Sequence, residues 1–89
     1  MPLRDLLDPA QHIEGGVGFR MSDGTRELTV LVTDEALEDS ASPPSHDVAR
    51  FDDYRGSYAR IASAKYDARA FELDGRLMVR TADIPSGGF

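Results

Sequence analysis

The chain has no cysteine. That removes disulfides and thiolate chemistry, and it takes away the commonest zinc ligands. Small secreted domains are usually stapled, so the absence favours a reducing compartment and predicts a cytoplasmic protein. No apolar run approaches the length that spans a bilayer, and no membrane association is expected. The opening segment, Met1 to Gln11, places Asp5 and Asp8 where a signal peptide needs an unbroken apolar stretch. Histidine is scarce: only His12 and His46 are present, and both read as ordinary loop or cap residues. Positive charge is also short, with 10 basic against 16 acidic residues and a net charge of −6. Phosphate backbones are repelled by such a surface, so no nucleic-acid partner is expected. The same acidity keeps a small protein in solution.

What is present suits one domain, taken as residues 1–89 with an ordered core over about 13–84. At 89 residues and 40% hydrophobic content, the chain is globular, though a domain this small buries only roughly 60–65% of its unfolded surface. Leu3, Leu6 and Leu7 fit one helical turn that Pro9 stops. Gly15, Gly16 and Gly18 loosen the approach to a strand in which Val17, Phe19 and Met21 alternate. Asp23-Gly24 is a hairpin turn signal, because both residues tolerate positive φ. Leu28 to Val32 is apolar nearly throughout and is expected near the middle of the sheet. Thr33 or Asp34 caps a short helix through Asp39, anchored by Ala36 and Leu37. Ser40 to Ser45 is a loop interrupted by Pro43 and Pro44.

The spacing then predicts one long helix from Asp47 to Arg69. Phe51, Tyr54, Tyr58, Ile61, Ala62 and Lys65 recur every three or four residues, which at about 100° per residue makes a single stripe. Asp52, Asp53, Ser57, Arg60, Ser63 and Asp67 fall opposite. Acids early and bases late in this helix complement its dipole. Gly56, costly in mid-helix, suggests close approach of another backbone. Phe71 and Leu73, Asp74-Gly75, then Leu77 and Val79 read as a second hairpin. Pro85 closes the ordered part, and residues 85–89 are expected to be a flexible tail. The reading is therefore α+β: a small antiparallel sheet of two hairpins, one short helix, and one long helix packed across the sheet.

No catalytic, cofactor or metal set emerges. Gly15, Gly16 and Gly18 precede a strand, whereas a phosphate-cradling loop follows a strand and opens a helix. Adjacent Asp52 and Asp53 diverge on a helix and do not clamp one metal. Tyr54, Tyr58 and Tyr66 read as core rim rather than a base-stacking platform. Lys65 is the exception, since it lies near the centre of the apolar stripe. Its stem can cover apolar surface while the ammonium reaches the rim, or it can pair with a carboxylate from the sheet, for which Asp83 is the candidate.

Phe51, Arg55, Tyr58, Ala62, Lys65 and Tyr66 resemble the helix motif of the small bacterial domain of unknown function 1488. Val17-Gly18-Phe19-Arg20 is similar to that family's first strand, Ala36-Leu37-Glu38-Asp39 to its short helix, and Thr81-Ala82-Asp83 to its closing motif. Tyr58 departs from the pattern, standing where an aliphatic residue is usual. The resemblance covers about Gly16 to Ile84. It implies a small α+β domain and brings no activity, cofactor or partner. Its polar positions here are Arg55, Lys65 and Asp83, a binding or a structural network. Two functional expectations follow. The first is a non-enzymatic accessory or protein-interaction module, with an unknown protein partner or a homodimer that uses the Arg76–Thr81 strand and the margins of the long helix. The second is a small-molecule-binding or minor catalytic role around Arg55, Lys65 and Asp83. The charge balance makes one direct prediction: no salt-dependent micromolar binding to duplex DNA at physiological salt, checked by fluorescence titration; such binding would require clustered Arg and Lys neutralising phosphates.

Overall fold

The computed structural model describes residues 3–89, which leaves Met1 and Pro2 of the expected domain outside it. The strands are β1 (Arg4–Asp5), β2 (Gln11–Ile13), β3 (Gly16–Ser22), β4 (Glu27–Thr33) and β5 (Leu77–Val79). The helices are α1 (Asp34–Asp39), α2 (Val48–Asp53) and α3 (Arg55–Asp67), and a 3₁₀ turn spans Thr81–Asp83. The α+β class holds, and the sheet runs β1-β3-β4-β5, with β2 also paired to β3.

The first hairpin forms where expected: β3 and β4 are antiparallel, with Val17 opposite Val32, Phe19 opposite Val30 and Met21 opposite Leu28. Its turn is not the expected two-residue one, since Ser22 pairs with Glu27 and of Asp23 and Gly24 only Gly24 takes positive φ, at 100°. The turn is closed from Asp23 N–H to Arg26 C=O at 3.1 Å, and the Asp23 carboxylate takes the Thr25 and Arg26 amides. β4 is an interior strand. The alternation puts Val17, Phe19, Met21, Val30 and Val32 on one face, all of them buried. Thr33 caps α1 by accepting from the Ala36 amide at 3.2 Å, and Ala36 and Leu37 are buried.

Four further expectations need correction. The second hairpin does not exist. Leu77 and Val79 form a strand, but it lies parallel to β4, with Leu77 beside Val30 and Val79 beside Val32, so the sheet is mixed. Phe71 and Leu73 are exposed, Leu73 in the tight turn that Gly75 closes onto the Glu72 carbonyl and Phe71 just before it. Alternation marks a strand without stating its direction, and the helical segment between β4 and β5 is the crossover that a parallel pair needs.

Secondly, the long helix is two helices. Tyr54, at φ −125° and ψ 22°, breaks it between α2 and α3. Phe51 and Tyr58 are seven residues apart, two turns either way, so periodicity is blind to a kink between them. The break places both rings in the core, while Ile61 is only partly buried. Asp47 caps α2 through the Arg50 amide at 2.9 Å.

Thirdly, Leu3, Leu6 and Leu7 do not make a helical turn. Leu3 enters the core, its amide donating to Ser63 Oγ at 3.2 Å. Arg4 and Asp5 pair with Ser22 and Met21 instead. Leu7 is exposed at φ 63°. Finally, Gly56 marks no close approach, since a Cβ there would meet nothing within 4 Å.

The core is closed by Phe19, Phe51, Tyr58, Ala62, Leu37, Leu77, Val79 and Ile84. No helix among the described residues is long and apolar enough to cross a membrane. Phe51 is wholly buried, and Phe51→Ala is expected to cost about 3–5 kcal/mol in denaturant melts. A loss below about 1 kcal/mol would place it outside a packed core.

Candidate functional site

The polar residues singled out in the sequence separate into two groups. Lys65 and Asp83 meet. Lys65 Nζ lies 2.7 Å from Asp83 Oδ2 and donates to the Met78 carbonyl at 2.7 Å. Asp83 Oδ2 also accepts the Arg80 amide at 2.9 Å. Both side chains are mostly covered. β5 has a strand neighbour on one side only, and its other edge would present bare carbonyls and amides. Lys65 takes the Met78 carbonyl of that strand, and Asp83 takes the Arg80 amide just past it, where Arg80 caps the 3₁₀ turn. The pair therefore covers one carbonyl of β5, and the ammonium meets the carboxylate of Asp83, the candidate partner, which arrives from the 3₁₀ turn that follows β5 rather than from the sheet itself.

Arg55 is not part of that pair. It begins α3, ten residues before Lys65, or about 15 Å along a helix. Its Nε donates to Asp5 Oδ2 at 2.7 Å and its Nη2 to Asp5 Oδ1 at 2.9 Å, a bidentate fork. Nη2 also reaches the Asp8 carbonyl at 2.7 Å, and the guanidinium stands 5.7 Å from the Phe19 ring centre and 5.4 Å from that of Phe51. Asp5 further accepts the Leu7 amide at 2.8 Å. Burial alone would raise the Asp5 pKa; the donors from Arg55 and Leu7 outweigh it and hold the carboxyl below its ordinary value. This fork ties the segment before β2 to the start of α3.

Sequence reasoning missed three further polar clusters. Arg50 is buried and donates to the carbonyls of Leu37 at 3.0 Å, Ala41 at 3.2 Å and Pro43. It organises the loop from Ser40 to Ser45. Ser40 is buried as well; its Oγ donates to the Ala36 carbonyl at 2.6 Å and shares a hydrogen bond with the Tyr58 hydroxyl. Tyr66 donates to Asp23 Oδ2 at 2.5 Å, which pins the hairpin turn to α3 and lowers the Asp23 pKa. No sequence signal marks Arg50 or Ser40. Asp5 was legible only as a charge that interrupts an apolar stretch.

The histidines come together, with ring centres 6.3 Å apart. His12 lies in β2 rather than in a loop, 3.8 Å from Asp34 Oδ1, and His46 Nδ1 is 3.1 Å from Glu38. Among the described residues no group of three or more His, Asp or Glu side chains is placed to hold a metal ion.

The remaining feature is the sheet face turned away from the helices. The register puts Gly18, Leu31 and Met78 in one row across β3, β4 and β5, with Arg20 and Thr29 in the next. Ile13 folds over Gly18, where a Cβ would come within 2.8 Å of Ile13 Cδ1. Two open grooves flank this row. One, of about 600 Å³, is lined by Glu14, Asp34, Glu35, Arg76 and the edge of Leu31–Met78. The other, of about 470 Å³, lies over Pro9, Ile13, Gly18 and Thr29, with Asp8 and Arg20 at its rim.

Residues 10–79 match a family described as a protein of unknown function, DUF1488. The chain belongs to this family. The matched span contains Arg55 and Lys65, as well as the whole β2–β3–β4 face, and stops before Thr81-Ala82-Asp83. Asp5 and Asp83, the carboxylates that receive the two cations, lie outside it. No curated protein and no solved structure matches the chain.

The Asp5 fork makes a pH prediction. A carboxyl whose folded pKa is depressed contributes stability that is complete above the ordinary carboxylate value and lost as pH falls through the folded value. Asp23 acts in the same direction. Stability measured by denaturant melts is therefore expected to fall from about pH 5 to about pH 2, with a shallower fall in Asp5→Asn. At neutral pH, Arg55→Met is expected to cost about 1–3 kcal/mol, because it leaves a covered carboxylate without its donors.

Proposed function

We propose that this domain is a non-enzymatic cytoplasmic interaction module, and that the uncovered sheet face is where it docks. The observation that carries the reading is the division of labour among its side chains. Arg50, Arg55, Lys65 and Asp83 are engaged in bonds that hold loops, helix ends and the sheet edge. Ile13 is exposed and Met78 partly so, and they share with the buried Leu31 a face with no helix above it. Absence of cysteine supports a reducing compartment.

The partner proposed is a second copy. One groove of the face carries Glu14, Asp34 and Glu35 against the single Arg76. Towards the other end Arg20 pairs with Glu27 and lies 3.6 Å from Asp8, and Arg4 stands opposite Ser22 on the same side of the sheet, so the charges there balance. A two-fold stacking of this face buries Met78 and Ile13 twice for one set of residues. Lys65 occupies the Met78 carbonyl at the short β5 edge, which favours face-to-face stacking over edge pairing there. Sedimentation equilibrium at tens of micromolar is expected to return a dimer, and Met78→Glu to return the 9.7 kDa monomer. A wild-type protein that stays monomeric under those conditions would reject the second copy as partner.

A further inference from the structure

The segment expected to be a loose tail is seated. The Phe89 amide donates to the Ser40 carbonyl at 2.8 Å, at the end of α1. Its ring lies 5.5 Å from Tyr54 and meets the edge of Tyr58 at 5.4 Å and 75°. Tyr54 is the break between α2 and α3 and Tyr58 lies one turn into α3, so the break shapes the seat. Gly88 makes the approach possible. It sits at φ +88°, and a Cβ there would come within 2.4 Å of the Ser40 carbonyl oxygen. Only glycine passes at that distance, and only glycine takes that conformation without strain. The Gly88 amide closes a turn onto the Pro85 carbonyl at 2.9 Å. Phe89 nevertheless keeps 39% of its surface exposed.

We propose that this cleft is a recognition site for a glycine–aromatic chain segment, and that Gly88–Phe89 fills it in cis as a displaceable plug. The selectivity follows from the parts. The Ser40 carbonyl requires a backbone amide, the Tyr54–Tyr58 corner requires a flat ring, and the crowded approach requires glycine before it. The adjoining groove runs between Glu38, Asp39 and Pro44 on one wall and Thr81, Ile84 and Pro85 on the other. Its charged lining is acidic, which favours a partner segment with lysine or arginine ahead of the glycine. This site is on the helical side of the sheet and does not depend on the docking face proposed above. A tethered plug acts at millimolar effective concentration, so an incoming segment displaces it only by adding contacts such as those basic residues.

The test uses the full chain carrying Phe89→Ala and a synthetic peptide, Lys-Lys-Ser-Gly-Gly-Phe, followed by NMR through the Ser40 and Ala41 amides and the Tyr54 and Tyr58 rings. Saturable shifts are expected. Binding should be weaker by about tenfold or more in the wild type, where Phe89 competes, and in a control peptide with alanine in place of the second glycine. Gly88→Ala offers a second way to vacate the seat should the first variant fold poorly. Absence of saturation at millimolar peptide, or equal binding by wild type and variant, would overturn the proposal. Sedimentation of Phe89→Ala separates the two readings. A dimer that persists is consistent with both, whereas a dimer lost with Phe89 would place the segment in the neighbouring copy and overturn its assignment in cis.

Discussion

Phe19, Phe51 and Tyr58 hold the two layers of this domain together. The Phe19 and Phe51 rings are 4.8 Å apart, and Phe51 stacks on Tyr58 at 5.4 Å and 10°. One ring comes from β3, one from α2 and one from α3, so this column joins the sheet to both halves of the broken helix. Aromatic pairs add about 0.5–1.5 kcal/mol beyond their burial. Here the geometry matters more than the increment. Arg55 lies over Phe19 and Phe51, and Tyr58 carries its hydroxyl to Ser40, so the polar staples at either end are aligned by the same column. Without the break at Tyr54, Phe51 and Tyr58 would lie along one straight axis, and the corner that receives Phe89 would not form.

A single helical layer has a consequence for the sheet. Its inner face is filled by valines, phenylalanines and Leu77, while its outer face has only its own side chains to cover it. Gly16 and Gly18 keep that face low, and Ile13 bends over it. The edges are treated differently. β1 and β2 cover one side of β3 along part of its length, and on the other side of the sheet Lys65, paired with Asp83, takes the Met78 carbonyl of β5. Bare strand edges recruit other strands, whereas faces recruit apolar surface, and the proposed stacking uses the face.

The legible parts of the fold were those with local signals. Asp23-Gly24 and its flanking alternation located the first hairpin, and Thr33 with Ala36 and Leu37 located α1. The parts that failed depend on relations between distant residues. Leu77 and Val79 alternate equally well beside either kind of neighbour, and the choice of β4 is made by the helical crossover that delivers them. The kink at Tyr54 preserves the seven-residue interval from Phe51 to Tyr58 and so leaves no trace in the period. Of the candidate site, Lys65 was conspicuous because a cation on an apolar stripe needs a partner, and Asp83 proved to supply it. Arg55 matched a motif, but its partner Asp5 lies fifty residues upstream. Arg50 binds only backbone carbonyls among the described residues, an arrangement to which side-chain pattern is blind.

The central claim is that the uncovered sheet face, and not the polar network, is the working surface. An NMR dilution series on the wild-type protein tests it most directly, because amide shifts report which residues change environment as copies separate. The account predicts concentration-dependent shifts confined to Ile13, Gly18, Arg20, Thr29, Leu31 and Met78, with α3 unaffected. Shifts centred on α3 and the Lys65–Asp83 edge, with the sheet face silent, would contradict it.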